Sequence, residues 1–349
     1  MNSEPVLSLP FIVMIWMASV ILSRIFFNDM KCGRAPVKLT VDTLFRGVYN
    51  VNIKNGGLTF NKGVRMKEIH PEILSQDIGE TEVQYLKYQG DGPPLILLHA
   101  TGFSPWLWHP LSVALSRHFQ VIAPYFCDHR HADPNEGGLS WVILAEDLCR
   151  LCESMKIKEP FLVGHSMGAT VMTLANGLHG DVAKKMVLIE PIFLPEDLYK
   201  ITLKVEEHPL ASKSIKRKNF WRDREEAIAY FQSKPFFQSW DKEVLELYVK
   251  YGVMEKESGG FELTCSPQRE ASLFMGGGVY DPWPVLSKNT CPVMVVEGEQ
   301  SENRPYIDLK KAAALFKNGQ YHLVKGAGHL IPMEKPTEVC RIIEDFFME

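Results

Sequence analysis

The chain predicts an α/β fold: a doubly wound, mostly parallel sheet with helices on both faces. Short apolar runs alternate along it with longer amphipathic stretches. Most of these runs lack the polar–apolar alternation of a half-solvated strand, which marks parallel strands buried under helices. The connections between runs and stretches are short, as β–α–β crossovers require.

The elements read in order as follows. "TEVQYLKY" (81–88) alternates like a strand with one wet face, and Gly90 to Pro94 makes a turn. "PLILLHA" (94–100) and "FQVIAP" (119–124) are buried strands, and "SWVILAEDLCRLCESM" (140–155) is an amphipathic helix. "PFLVGH" (160–165) is a strand, "MGATVMTLANGLH" (167–179) a helix rich in small residues, and "KMVLIEP" (185–191) another strand. Between 192 and 288 the pattern gives way to charged, aromatic-rich helical segments such as "DREEAIAYFQS" and "DKEVLELYVKYGV". That stretch is too long for a loop and is an insertion. Strand, helix and strand resume over 291–299, 306–316 and 320–326, and a last helix follows Pro336. The expected layout is a core of 67–191 and 289–349, the insertion at 192–288, a linker or pre-domain at 31–66, and a separate N-terminal segment at 1–30.

The bulk composition fits this reading. With 349 residues, 46% apolar and 23% charged, the chain is globular in character. A net charge of −4 gives no basis for expecting nucleic acid as a partner. The seven cysteines (Cys32, Cys127, Cys149, Cys152, Cys265, Cys291 and Cys340) are odd in number and scattered, which points to thiols rather than a disulfide framework. Cys149 and Cys152 share the spacing of a redox or zinc pair. They also sit where Leu144, Leu148, Leu151 and Met155 recur at helical intervals, so they read as core thiols.

The N-terminus stands apart. Pro5 to Ser23 are 19 consecutive uncharged residues, and Ile25 to Phe27 extend the apolar run past Arg24. At ~1.5 Å per residue a helix of this length spans a ~30 Å hydrocarbon core. No basic region precedes the run and no small-x-small cleavage site follows it, so a membrane anchor is expected rather than a cleaved signal. Arg24, Lys31, Arg34 and Lys38 all follow the segment, which places the remainder on the cytoplasmic side. Cys32 beside the anchor is a candidate acylation site.

Gly164-His165-Ser166-Met167-Gly168 places a serine between small residues where a predicted strand meets a predicted helix. A nucleophile held on such a tight turn has strained backbone angles and tolerates only small neighbours. A serine hydroxyl needs a base, and His329 in "KGAGHLIPMEKP" lies in a loop between the last strand and last helix. His70, His109, His118, His179, His208 and His322 lack such a context, and His165 is expected to pack under the turn or line the pocket. The oxyanion donors expected are the backbone N–H groups of Thr101, in the "LLHATGF" loop, and of Met167. His99 in that loop reads as a structural hydrogen-bonder.

Together the His99-Ala100-Thr101-Gly102 loop, the Gly164–Gly168 turn and the late "GAGHLIPME" histidine resemble the α/β-hydrolase family over about residues 67 to 349. The resemblance implies a serine–histidine–acid triad, an acyl-enzyme route and a helical cap, which 192–288 would form. The chain departs from the family in three places. Ala100 stands where many members have glycine. "YFCDHRHADP" replaces an Asp-x-Arg-Gly-His-Gly stretch and contains His129-x-His131-x-Asp133. Zinc would need a further histidine where Pro134 stands, so this reads as a structural loop; no metal and no cofactor is expected. The usual acid position after Gly298 falls on Ser301, with Glu299 and Glu302 beside it. Certain relatives instead carry a glutamate at the end of the preceding core strand, where this chain has Glu190. A carboxylate ending a buried strand needs a partner, so Glu190 is the preferred acid and Glu302 the alternative.

These readings converge on a membrane-anchored serine hydrolase cleaving an apolar carboxylic ester or thioester, with a small acyl compound as partner. Phe220, Trp221, Tyr230, Phe231, Phe236, Phe237 and Trp240 in the insertion suggest an apolar pocket, and anchor plus cap suggest a lipid-like ester by analogy with membrane-bound monoacylglycerol lipases. The competing classes are a carbon–carbon bond hydrolase of the same fold and a non-catalytic ligand-binding protein.

Overall fold

The computed structural model describes residues 49–54, 57–62 and 69–349, apart from 127 and 181. The expected anchor at 1–30 and Cys32 lie outside the described residues. Among the described residues no helix is long and apolar enough to cross a membrane.

The chain divides into two compact units, Met1–Glu68 and Ile69–Glu349. In the first, Tyr49–Lys54 pairs antiparallel with Gly57–Lys62, Lys54 facing Gly57. This falls within the stretch expected to be a linker. The signal for it is Asn55-Gly56, a turn dipeptide flanked by alternating Val51/Ile53 and Leu58/Phe60, the pattern of a hairpin.

In the second unit eight strands form one sheet: β1 (Glu72–Asp77), β2 (Glu82–Tyr88), β3 (Pro94–Leu98), β4 (Gln120–Pro124), β5 (Phe161–His165), β6 (Lys185–Ile189), β7 (Val293–Gly298) and β8 (Gly319–Val324). Their order is β1-β2-β4-β3-β5-β6-β7-β8. β2 runs antiparallel to β1 and β4, and every other pairing is parallel. The central strands are the apolar runs: β5 is buried along its whole length, and β3 and β6 are buried after their first residue. β1, unanticipated from the sequence, is a polar edge strand whose Ile73 is 57% exposed. Such a strand carries little apolar pattern and is recruited by backbone pairing.

Helices flank the sheet: α1 (His109–Leu115), α2 (Trp141–Ser154) and α3 (Met167–His179), with α7 (Leu309–Leu315) and α8 (Pro336–Met348) after the insertion. Ser140 caps α2, its Oγ accepting from Val142 N–H. Leu144, Leu148 and Leu151 pack with Val171 and Met172 of α3 in one core. Cys149 and Cys152 are thiols on that helix, pushed up to about 11 and about 12 by burial.

Between β6 and β7 lie α4 (Arg224–Gln232), α5 (Lys242–Gly252), a small hairpin (Val253–Glu255 with Phe261–Leu263) and α6 (Pro267–Gly276). Asp223, Asp241 and Ser266 cap the three helices. Trp221, Phe231, Phe237, Trp240 and Tyr248 form a buried aromatic cluster that closes on Leu330 and Met333, just past His329. Most of the aromatic residues expected to line a pocket therefore serve this cluster, while Phe220 and Phe236 are exposed. An inserted domain has to bury its own apolar surface first, and large rings do so with the fewest residues.

Candidate active site

The site is assembled at the carboxyl ends of β3, β5, β6 and β7. β5 delivers Ser166, whose N–H donates to Ile189 O at 2.9 Å. Ser166 has φ 54° and ψ −115°, a strained conformation for a non-glycine residue. The turn closes because its neighbours are small. A Cβ on Gly164 would stand 2.5 Å from Ala169 N, and one on Gly168 2.4 Å from Leu98 O. The contact at Gly168 also brings the start of α3 against the end of β3. Met167, as first residue of α3, has an N–H without an intrahelical acceptor. Thr101 follows β3 in a turn closed by Phe103 N–H donating to Ala100 O at 3.2 Å. The two expected oxyanion donors thus belong to backbone segments in direct contact.

His99 shapes that turn. Its Nε2 accepts from Phe126 N–H at 3.1 Å, so Nδ1 carries the proton and donates to Ala100 O at 2.9 Å. Burial holds its pKa down to about 4, which keeps it neutral.

His329 sits in the loop after β8, held from below by His165. The Nε2–H of His165 donates to His329 O at 2.9 Å, and the two rings lie 5.2 Å apart. His165 is fully buried and its pKa falls to about 3, first through burial and then through the neighbouring His329. It is therefore a neutral prop under the turn.

Glu190 comes off the end of β6 with φ 50°, a second strained non-glycine residue. Its side chain is 1% exposed and fully engaged. Oε1 accepts from Gly298 N–H at 2.7 Å, Oε2 accepts from Ser301 Oγ–H at 2.7 Å, and His329 Nδ1 lies 2.9 Å from Oε2. Three donors offset the cost of burying the carboxylate. Thr170 Oγ1 of α3 secures the chain just beyond, accepting from Ile192 N–H at 2.9 Å. The structure thus brings Glu190 to His329, while Glu302 is exposed to solvent. Among the described residues Ser166 Oγ has no hydrogen-bond partner; nucleophile–base bonds are often long until substrate is bound.

Two residues at this site carried no catalytic pattern in the sequence. Ser301, where many family members have the acid, donates to Glu190 instead. Asn303 places its side-chain amide 2.9 Å from His329 Nδ1. The signal for both was positional: polar side chains in the loop that ordinarily delivers the acid.

The His129-x-His131-x-Asp133 segment is held by other contacts. His129 Nε2 lies 2.9 Å from Asp147, which Arg130 also grips through Nε and Nη2. Asp133 accepts from Asn135 N–H to cap a short turn. Among the described residues no three His, Cys, Asp or Glu side chains are grouped to hold a metal ion.

Residues 95–342 match the model of the alpha/beta hydrolase family. A Haemophilus influenzae protein named "Putative esterase/lipase" is 22% identical over 290 residues, covering 82% of this chain and 94% of that one. The 2-(acetamidomethylene)succinate hydrolase of Mesorhizobium japonicum is 24% identical over 272 residues, covering 77% and 93%. Among solved structures, E-2-(acetamidomethylene)succinate hydrolase superposes with a TM-score of 0.69 at 21% identity, covering 80% of this chain and all of that one. The thioesterase domain from the curacin biosynthetic pathway superposes with a TM-score of 0.62 at 17% identity, covering 78% and 98%. By sequence match, sheet order and the turn that carries its serine, this chain is a hydrolase and belongs to the alpha/beta hydrolase family.

Proposed function

We propose that the protein is a serine hydrolase that cleaves an apolar carboxylic ester or thioester through Ser166, His329 and Glu190. The observation that carries the reading is the 2.9 Å contact between His329 Nδ1 and a buried Glu190, with His329 bonded through its backbone O to His165, the residue before a strained Ser166. His329 Nε2 takes the proton as Ser166 Oγ attacks the carbonyl carbon. The N–H groups of Thr101 and Met167 bind the oxyanion, and Glu190 steadies the imidazolium. The protonated imidazole hands its proton to the leaving group. Water activated by the same base then releases the acid from the acyl-enzyme. The esterase/lipase and thioesterase names of similar proteins support the bond type. The N-terminal apolar run supports membrane attachment with the catalytic unit on the cytoplasmic side, which suits a lipid-like ester.

A fluorophosphonate probe tests the chemistry. The wild type is expected to label and Ser166→Ala to lose the label completely. An unlabelled, folded wild type would leave the ligand-binding reading in its place. A panel of p-nitrophenyl esters, thioesters and monoglycerides, with a vinylogous diketone for carbon–carbon cleavage, then assigns the bond.

A further inference from the structure

We infer that Asn303 is a positioning residue that shares the Nδ1 proton of His329 with Glu190. The inference rests on the reading of Ser166, His329 and Glu190 as a working triad.

Nδ1 of His329 has two polar neighbours at the same distance, Glu190 Oε2 and, as the structure sets the amide, Asn303 Nδ2, each 2.9 Å away. One hydrogen settles what each of them does. Glu190 has no proton to offer, because Oε1 accepts from Gly298 and Oε2 from Ser301. The hydrogen between Oε2 and Nδ1 therefore belongs to the imidazole, which leaves Nε2 as the base towards Ser166. An amide N–H aimed at a protonated Nδ1 would oppose it. A half turn of the amide exchanges its oxygen and nitrogen with little change in their positions. The amide then offers Nδ1 its carbonyl oxygen. Nδ1–H is shared between a carboxylate and an amide oxygen, and the charge that His329 acquires in the transition state is held from two sides.

The backbone holds Asn303 to this task. Its N–H donates to Ser301 Oγ at 3.3 Å, and Ser301 Oγ–H donates to Glu190 Oε2. Asn303 O accepts from the N–H groups of Tyr306 and Ile307, both at 2.9 Å. Gln300 N–H donates to Ala327 O at 2.8 Å, stitching the loop to the one bearing His329. Glu190, Ser301, Asn303 and His329 so form a closed ring of hydrogen bonds. The loop that usually supplies the acid here supplies two neutral groups that aim an acid from another strand.

The test is the pH dependence of kcat/KM with a p-nitrophenyl ester, on full-length protein, for wild type, Asn303→Leu, Asn303→Asp and Glu190→Gln, alone and combined. Removing an acceptor that favours the imidazolium should move the acid limb of Asn303→Leu to lower pH and reduce kcat several-fold, with KM held. Asn303→Asp should move that limb to higher pH. Placed in the Glu190→Gln background, it should recover about tenfold or more of the lost rate, since a carboxylate again faces Nδ1. An acid limb that stays put or rises in Asn303→Leu overturns the inference. So does a double variant, shown by its melting curve to be folded, that is no faster than Glu190→Gln. Absence of probe labelling in the wild type is the separate result that would remove the triad itself.

Discussion

At the residue scale the site turns on which carboxylate faces His329. Glu190 is buried, held by three donors and anchored at a strained φ of 50°, whereas Glu302 is exposed. Glu190→Gln is expected to lower kcat/KM by about a hundredfold or more, since Gly298 N–H holds the amide oxygen and turns the NH2 towards Nδ1, which favours the wrong tautomer. Glu302→Gln should leave it within about twofold, as for an exposed charge outside the site. Steady-state kinetics on the two variants separates them; equal losses would count against Glu190. His99 and His165 carry a second expectation. Both are buried and neutral, with pKa values lowered from 6.5 to about 4 and about 3 by burial. A base whose folded pKa is depressed stabilises the fold fully above its unfolded value, and that contribution is lost as pH falls towards the folded one. Between about pH 6.5 and about pH 5 each should cost up to about 2 kcal/mol of stability. Urea unfolding across that interval, with His99→Gln as comparison, is expected to show a shallower slope in the variant.

At the element scale the tight turns decide what the strands deliver. α3 can start against β3 only because Gly168 has no side chain; a Cβ there would stand 2.4 Å from Leu98 O, a backbone atom that cannot rotate away. Gly168→Ala should therefore destabilise the protein by about 2–3 kcal/mol and pull Met167 out of line. A lower melting temperature with lost probe labelling is the expected pair of results. The loop that carries Thr101 has its own constraint from the inserted helices. Gly102 has φ +76°, and a Cβ on it would lie 2.3 Å from Glu270 Oε1 of α6. Glu270 is itself pinned by Arg217 at 2.7 Å, and Arg217 also donates to Tyr248 OH at 3.1 Å. Gly102→Ala meets both the backbone strain and a held carboxylate, and should cut kcat by about tenfold to a hundredfold by displacing Thr101. Unchanged kcat in that variant would argue against Thr101 as an oxyanion donor.

At the scale of the whole molecule the insertion between β6 and β7 is tied to the loop that carries His329. Asp241 N–H, at the start of α5, donates to Met333 O at 2.7 Å, and the aromatic cluster of the insertion closes on Leu330 and Met333. These contacts fix the inserted helices against the segment that follows His329. The N-terminal run adds the proposed attachment to a bilayer. Removing residues 1–30 should move the protein from the membrane fraction to the supernatant while probe labelling persists. Equal partition of both forms would end that proposal.

Much of this protein follows from local pattern. The apolar runs specified the central strands, since both faces of a parallel strand are buried and few polar residues are tolerated there. Gly164, Ser166 and Gly168 marked the turn because they fall between an apolar run and a helix rich in small residues, and the late glycine-flanked histidine stood out as the expected base. The edge strand β1 and the pairing of Tyr49–Lys54 with Gly57–Lys62 were less legible, because backbone pairing carries them more than apolar pattern does. For the acid, local reading preferred Glu190 and left Glu302 open. Glu190, Glu299 and Glu302 are chemically alike, and which one reaches Nδ1 depends on where β6 ends relative to β7, a register set by the whole sheet. The same register turned Ser301 from an apparent defect into a donor to Glu190 and set Asn303 against His329. Sequence determined which groups could react; the packing of strands far apart in the chain decided which of them meet.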